Sequence, residues 1–373
     1  TNIKKIGSNF SAKINATEGV HTLFVQLKNA SFTWWQPVDF NMVPAISVID
    51  IAKDKKNTIS FQLFNNTDSL VNGFVFVNGH SISIKIPALA LSSIIQMPTD
   101  AIVPGTNAIK ISWANNELNT AIVNWNIAMG GTKKMETISL QPYLNDKLTQ
   151  IFKNQYLSPR PTVPTLQLPT QGIGEWTYPL RTADINDSGL RKLAAINNTI
   201  LLPQGIPFIT NSDSSVNNIA FTSQWDNYPR SIKIPIAGNA SHAYLLMAGS
   251  TNPMQSRFEN GVVLVNYMDG TMDSLPLKNP QTWWPIEQDY LEDGYAFHND
   301  AAKPVRVHLK TGRILSVFDG TANEYNGKSI QGGAATVLDI PLNQTKQLKN
   351  LTLSTTANDV VIGLMSLTLI RDK

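Results

Sequence analysis

The 373-residue chain has no cysteine, so disulfide bonds and a Cys-ligated zinc site are excluded. Charged residues are also scarce, at 15% of the chain, where soluble globular proteins average roughly 25%. The net charge of +3 is scattered without a basic run, which argues against nucleic acid and an anionic membrane surface as partners. No apolar run approaches the roughly 18 residues that a membrane-spanning helix needs, so no membrane span is predicted.

Familiar catalytic motifs are missing as well. The sequence contains no GxSxG elbow, no GxxxxGK[ST] phosphate loop and no GxGxxG turn. The five histidines form neither an HExxH nor an HxH arrangement, so a zinc or iron site would need three of them to converge through folding alone. The sequence therefore predicts no catalytic residue and no cofactor.

Short strands that alternate apolar and polar residues are abundant in the first third of the chain. Asn78-Gly79 is the strongest single signal, because this pair supplies the two positive φ angles of a type I′ hairpin. Seven such strands at regular spacing predict an immunoglobulin-like sandwich. The predicted strands cover residues 21–27, 45–52, 58–64, 73–77, 81–86, 108–113 and 120–127.

The second half of the chain again has strand patterns, separated by long loops at 225–230, 248–260, 269–299 and 318–333. About nine strands with long loops are typical of a jelly-roll sandwich of the galactose-binding type. These strands are predicted at 218–222, 231–236, 242–247, 261–267, 304–309, 314–317, 335–340, 348–354 and 360–370.

The region between the two sandwiches has a different composition. Four prolines within residues 157–170 indicate an extended strap, because proline cannot donate to a sheet. Short helices are predicted at 142–152 and at 190–196, the second capped by Asp187 or Ser188. The expected fold is all-β, with two sandwiches and little helix. The expected organisation is a linker at 1–15, an immunoglobulin-like sandwich at 16–130, a connecting strap at 131–198 and a jelly-roll-like sandwich at 199–373.

Aromatic side chains in two predicted loops are the leading candidates for ligand contact. Sugars present apolar CH faces that Trp or Tyr rings can cover while polar neighbours bond the hydroxyl groups. The structural alternative is that one indole of each cluster plugs the end of its sandwich, because Trp is usually mostly buried. The candidates, drawn from the acidic loop at 269–293 and the loop at 225–228, are Trp283, Trp284, Asp269, Asp289, Trp225 and Tyr228.

The carboxylates of the acidic loop leave two alternatives open. A pair of them could act as acid and base in glycoside hydrolysis. Asp269, Asp273, Asp289 and Asp293 could instead help to hold a calcium ion, although no EF-hand spacing supports this. The six carboxylates are Asp269, Asp273, Glu287, Asp289, Glu292 and Asp293.

Three motifs carry a family resemblance: YLSPRP at 156–161, TLQLPTQGIG at 165–174, and NP…WWPI at 279–286. Through them residues 136–373 resemble the C-terminal β-sandwich region of large uncharacterised glycosidase-like proteins of polysaccharide-degrading gut bacteria. In that family the β modules follow a six-hairpin helical toroid that holds the catalytic carboxylates. This chain has too little helical signal for the toroid, so no catalytic residue is carried over.

The resemblance implies a non-catalytic, carbohydrate-associated accessory region. It would scaffold an upstream catalytic domain of the same protein and contact a polysaccharide or oligosaccharide. The expected location is the periplasm or the cell surface, with the targeting signal upstream of Thr1. Two alternatives remain: a polysaccharide-active enzyme that uses the acidic loop, and a structural or adhesive envelope protein.

Overall fold

The computed structural model describes most of the chain, and two units separate by their internal contacts, Thr1–Val43 and Pro44–Lys373. Within the first unit, the predicted linker contains a hairpin of two strands, β1 (Ile3–Ile6) and β2 (Asn9–Ala12). The predicted strand at 21–27 lies outside the described residues. The described residues are 3–6, 9–12, 44–53, 55–130, 133–153, 173–175, 178–181, 183–224, 227–251, 257, 259–289, 302–315, 321–322, 328–357 and 360–371.

The second unit begins with a two-sheet sandwich around one apolar core. One sheet has the order β3-β4-β7 and the other the order β6-β5-β8-β9, all antiparallel. The strands are β3 (Ile46–Asp50), β4 (Ser60–Asn65), β5 (Val71–Val77), β6 (His80–Ile86), β7 (Ile95–Gln96), β8 (Gly105–Trp113) and β9 (Asn116–Asn124).

Both tight hairpins of this sandwich contain two residues with positive φ. Asn78 (φ 45°) and Gly79 (φ 87°) join β5 to β6, which confirms the predicted hairpin. Ala114 (φ 41°) and Asn115 (φ 64°) do the same between β8 and β9. The second turn carries no glycine, so its sequence gave no hairpin signal.

The remaining elements are almost all strands, and the described helices are short. None of the described helices is long and apolar enough to cross a membrane. The elements that follow the first sandwich are β10 (Lys134–Ile138), two 3₁₀ turns (Gln141–Tyr143 and Leu148–Gln150), β11 (Ile173–Glu175), β12 (Tyr178–Arg181), α1 (Ser188–Leu193), β13 (Thr199–Leu201), β14 (Pro207–Ile209), β15 (Ala220–Ser223), β16 (Ser231–Pro235), β17 (His242–Gly249), β18 (Glu259–Tyr267), β19 (Met272–Lys278), β20 (Arg306–His308), β21 (Ile314–Leu315), β22 (Thr321–Ala322), β23 (Lys328–Ser329), β24 (Ala334–Pro341), β25 (Leu348–Thr355) and β26 (Val361–Arg371).

A second sandwich is built from a seven-stranded and a four-stranded sheet. The larger sheet has the order β10-β26-β17-β24-β20-β21, with β15 also paired to β26, and the smaller has the order β16-β25-β18-β19. Apolar side chains such as Leu245, Val263 and Leu353 fill the space between the sheets. The chain is therefore an all-β protein with β-sandwich architecture, as the sequence predicted.

The larger sheet is buried on both faces. Successive side chains of a strand point to opposite faces, and in β17 Leu245 faces the core between the sheets while Tyr244 and Leu246 face another core. That other core is closed by α1, β13, β14 and part of the first sandwich. The second sandwich thus carries an additional layer over its larger sheet.

The predicted strap at 131–198 differs from the structure in its first strand and in its first helix. Its first described strand, β10, pairs with β26 and extends the larger sheet by one strand. The predicted helix at 142–152 is replaced by two 3₁₀ turns, whereas the predicted helix at 190–196 forms as α1, with Asp187 at its N-cap. The proline-rich segment at 157–170 lies outside the described residues.

Apolar and backbone contacts join the first sandwich to the second. Val103 and Trp125 belong to the core that covers the larger sheet. Gln204 donates from Nε2 to the carbonyl oxygen of Trp125 (3.2 Å), and the Met129 amide donates to the Gln204 carbonyl oxygen (2.8 Å). The two sandwiches therefore share part of one hydrophobic core.

Buried polar contacts strengthen the same joint. The Tyr244 hydroxyl donates to the Pro104 carbonyl oxygen (2.6 Å), and the Thr106 amide donates to Asp339 Oδ2 (2.7 Å). His242 Nε2 lies 2.8 Å from the same Asp339 oxygen. Burial, followed by the charge of Asp339, raises the pKa of Tyr244 well above its usual value, so its hydroxyl stays a donor. Specific hydrogen bonds therefore fix the joint.

Candidate functional site

Four of the loops that the sequence singled out have ends at one end of the second sandwich. Antiparallel pairing places them there, because Gly249 at the end of β17 pairs with Ile362 near the start of β26, and Glu259 at the start of β18 pairs with Lys278 at the end of β19. We call this end the loop end; its described residues are 224, 227–230, 250–251, 279–289, 302–305, 328–333 and 356–357.

Polar side chains that bond one another are buried beneath the loop end. Thr251 Oγ1 donates to Asn260 Oδ1 (2.5 Å), and the Val361 amide donates to Ser250 Oγ (2.9 Å). Thr222 and Thr355 share a hydrogen bond between their hydroxyls (2.7 Å). A buried polar group costs free energy unless it is bonded, so these pairs fix the loops to the sheets.

The paired indoles lie inside the sandwich. Trp283 is 1% and Trp284 is 5% exposed, and both pack in the core between the two sheets. Trp283 also donates from Nε1 to the Ser250 carbonyl oxygen (3.3 Å). The prediction that these rings form a stacking surface is therefore wrong. Both rings close the end of the sandwich with their large apolar area. This is the plugging role that the structural alternative assigned to an indole.

The chain after the indoles is held by Arg306, which is fully buried at the start of β20. Its Nη2 donates to the carbonyl oxygens of Pro285 (2.8 Å) and Ala334 (3.3 Å), and its Nη1 donates to that of Gln288 (2.5 Å). One guanidinium thus joins the 285–288 turn to β24. The turn is a fixed part of the fold.

Glu287 lies in this turn with only 2% of its surface exposed. Among the residues that the structure describes, its Oε2 atom has no hydrogen-bond partner. Burial raises the pKa of Glu287 to about 8, although its backbone hydrogen bond and the Arg306 charge act in the opposite direction. Glu287 is therefore a neutral carboxylic acid at pH 7. Asp289, the predicted site residue two positions on, is also 2% exposed.

Asp269, another predicted site residue, lies in the β18–β19 hairpin turn. Strand β19 has seven residues, which at about 3.3 Å each place this turn roughly 20 Å from the loop end. Asp269 accepts from the Thr271 amide (2.9 Å) and pairs with Lys346 (2.9 Å). The Thr271 hydroxyl and then Lys346 hold the pKa of Asp269 well below its usual value. Asp269 stabilises a turn and is not part of the predicted loop.

The acidic cluster is thereby divided. Asp273 lies near the Asp269 turn and accepts a hydrogen bond from the Tyr267 hydroxyl, whereas Glu287 and Asp289 belong to the opposite end of the sheet. The calcium alternative on Asp269, Asp273, Asp289 and Asp293 therefore does not assemble in full, because Asp269 and Asp273 lie at the opposite end of the sheet from Asp289. A catalytic pair that spans both groups is excluded for the same reason. Within the described residues no three His, Asp or Glu side chains converge as metal ligands. Glu292 and Asp293 lie outside the described residues.

The described part of the second candidate loop, at 225–228, also serves the packing of the fold. Trp225 lies outside the described residues. Tyr228 is buried, with its hydroxyl donating to Asp146 Oδ2 (2.6 Å) and its ring 5.0 Å from that of Phe221. It ties its loop to the segment between the 3₁₀ turns, so the prediction that Tyr228 offers a ring to a ligand is wrong.

An open groove of about 650 Å³ runs along β10 and the start of the β16–β17 connection. Two cations line it, Lys134 and Arg371. Arg371 bonds Glu136 Oε2 from Nε (2.7 Å) and the carbonyl oxygens of Ala237 (2.6 Å) and Asn239 (2.9 Å) from Nη1. These acceptors occupy the guanidinium, whereas Lys134 is exposed at the start of β10.

An exposed aromatic pair in the first sandwich went unnoticed in the sequence. Phe74 is 51% and Phe76 is 38% exposed, on the outer face of β5. The sequence did contain a signal for this exposure, because the run Gly73–Val77 has apolar residues at consecutive positions and therefore on both faces of the strand. Val75 and Val77 lie on the inner face. A strand with one buried face should show polar residues on the other face.

Comparisons with known proteins identify no family. No family model matches the sequence, and no curated protein matches it. Among solved structures, a protein described as SusE-like covers 87% of this chain and 96% of its own length, with 8% identity and a TM-score of 0.19. At that TM-score the likeness carries no argument about fold or function.

Proposed function

We propose that this chain is a non-catalytic, carbohydrate-associated accessory region of a larger glycoside-hydrolase-like protein, located in the periplasm or at the cell surface. The observation that carries the proposal is the joint between the sandwiches, where Asp339 and Tyr244 of the second bind Thr106 and Pro104 of the first. A joint of this kind holds two sandwiches in one orientation. A rigid body of that kind suits a scaffold beside a catalytic domain.

The arrangement of carboxylates agrees with a scaffold. Asp269 caps a hairpin turn, Asp273 accepts from a tyrosine, and Glu287 and Asp289 are buried. Glycoside hydrolysis requires two carboxyl groups facing a sugar from an open cleft. The four described carboxylates of the acidic loop serve turns and core.

One observation favours the alternative of a polysaccharide-active enzyme. Glu287 has the raised pKa that a general acid needs near neutral pH. Its 2% exposure places the carboxyl out of reach of a substrate in this conformation. The enzyme alternative therefore ranks second, and a single assay separates it from the accessory function.

The test measures retention and hydrolysis together. The 373-residue chain is run in affinity gels that contain neutral plant and host polysaccharides, and each mixture is assayed for reducing sugar. Retardation by at least one polysaccharide without sugar release supports the accessory function. Sugar release would establish the enzyme alternative, and failure to be retarded by any polysaccharide would overturn glycan binding. Fractionation of the native bacterium tests the location, since a cytoplasmic protein would contradict the proposal.

A further inference from the structure

The outer face of the β6-β5-β8-β9 sheet in the first sandwich presents two phenylalanine rings to solvent. Phe74 and Phe76 alternate with the buried Val75 on β5, and their ring centroids lie 6.2 Å apart. We call this pair the aromatic patch. With 51% and 38% of their surfaces exposed, the two adjacent rings leave contiguous apolar area in contact with water, which makes this face a candidate binding surface.

The neighbours of the aromatic patch are small and hydroxylated. Register pairs Phe74 with Ser83 on β6 and Ser112 on β8, and pairs Phe76 with Ser81 on β6. Ser81 and Ser83 are exposed, and Ser112 is partly so. Short side chains flank Phe74 on both neighbouring strands and Phe76 on β6, and their hydroxyls lie where an adjacent ligand could donate and accept hydrogen bonds.

The charge closest to Phe76 is paired. Lys110 pairs across the sheet with Phe76, and its Nζ lies 2.5 Å from Glu117 Oε2 on β9. That carboxylate, whose pKa is lowered by its hydrogen bonds with Lys110 and then Asn119, stays ionised and offsets the lysine. Asn119 lies beside the pair, directly across from Lys110. Lys85 on β6, exposed on the same face and paired with Asn72, adds one positive charge. The surface therefore offers rings, hydroxyls and an amide with little net charge.

We infer that the aromatic patch is a binding site for a neutral glycan, which stacks CH faces on Phe74 and Phe76 and bonds the flanking serines through its hydroxyls. A sugar combines apolar CH faces with hydroxyls at its edges, and this face repeats that combination. A protein partner is less well matched, because serine and lysine are depleted in protein interfaces and both types flank these rings. The inference rests on the proposed function and assigns it a surface.

The test compares variants of the whole chain in affinity gels that contain neutral β-glucan, xylan or mannan, with polygalacturonate as the acidic comparison. Phe74→Ala/Phe76→Ala should weaken binding of the retarding neutral glycan at least tenfold. Phe74→Tyr/Phe76→Tyr, which keeps both rings, should retain binding. The matched control is Ile49→Ala/Ile51→Ala, which removes exposed apolar residues (41% and 39%) from the first sandwich outside the four-stranded sheet and should change nothing.

Each other result counts against the inference. Unchanged binding by the double alanine variant would place the glycan site elsewhere while leaving the proposed function intact. Full glycan binding by Phe74→Leu/Phe76→Leu would show that apolar area suffices without ring faces, which would overturn stacking on the rings. Retardation by polygalacturonate alone would overturn the neutral class. If the unmodified chain binds no glycan, both the inference and glycan binding in the proposed function fail together.

Discussion

Replacing Glu287 with glutamine should remove a pH dependence from the stability of the protein. The side chain is buried at 2% exposure, and burial raises its pKa from 4.5 to about 8. Glutamine has nearly the same size and is neutral at every pH. The Glu287→Gln variant therefore keeps the packing around Arg306 while removing the titration.

The magnitude follows from proton linkage. Below about pH 4.5 Glu287 is protonated in both states, so its contribution to stability is fully present. Between about pH 4.5 and 8 the unfolded chain releases the proton that the folded chain retains. Each pH unit in this window lowers the free energy of unfolding by about 1.4 kcal/mol. From about pH 5 to 8 the wild-type protein should lose roughly 4 kcal/mol that the variant keeps.

Urea denaturation followed by tryptophan fluorescence measures this difference, because Trp283 and Trp284 lie a few residues from Glu287. The two proteins should be about equally stable near pH 5, and the variant should be more stable at pH 8. Glu259→Gln, which removes a carboxylate from a partly exposed position, controls for the change in net charge. If Glu287→Gln and the wild-type protein showed parallel pH profiles, burial of an uncharged carboxyl would be refuted.

Three further predictions concern structural residues. Asp339→Ala should lower the free energy of unfolding by roughly 3 kcal/mol, because the Thr106 amide and His242 lose a buried acceptor. Asp339→Asn should recover part of the loss. An unaltered urea midpoint for Asp339→Ala would contradict a stabilising role of Asp339 in the joint between the sandwiches. Trp283→Ala should cost about 3–5 kcal/mol as a core cavity, against almost nothing for a stacking residue on the surface, and calorimetry distinguishes the two. Gly79→Ala should destabilise by about 1–2 kcal/mol because its φ is +87°, while the added Cβ would meet Gln344 Nε2 at an ordinary contact distance of 3.6 Å; a thermal midpoint equal to that of the wild type would refute this.

Local sequence determined most of the strands of this protein. Alternation of apolar and polar residues and the Asn78-Gly79 turn act within a few residues, so they specify strands and a hairpin without knowledge of the partners. For the same reason the all-β class and the sandwich architecture could be read from the chain. Strand β19 was missed because Pro276 lies inside it; the strand is at the edge of its sheet, where a missing amide donor is tolerated.

The candidate site depended on tertiary structure. Trp283 and Trp284 lie next to prolines and acids, a context that a surface loop and a core plug share, and only the packing of the two sheets decides between them. Asp269 and Asp289 are twenty positions apart, and the intervening strand carries them to opposite ends of the sheet. Burial and separation depend on the whole arrangement of strands, so composition and spacing along the chain could not determine either.

The aromatic patch shows the same division between local and tertiary information. The sequence placed Phe74 and Phe76 on one face of β5, because side chains two residues apart point the same way. That this face lies on the outside of the sandwich follows from the partner strands, which bury Val75 and Val77 in the core. Local sequence fixes which residues share a face; the packing of the sheets determines which face meets water.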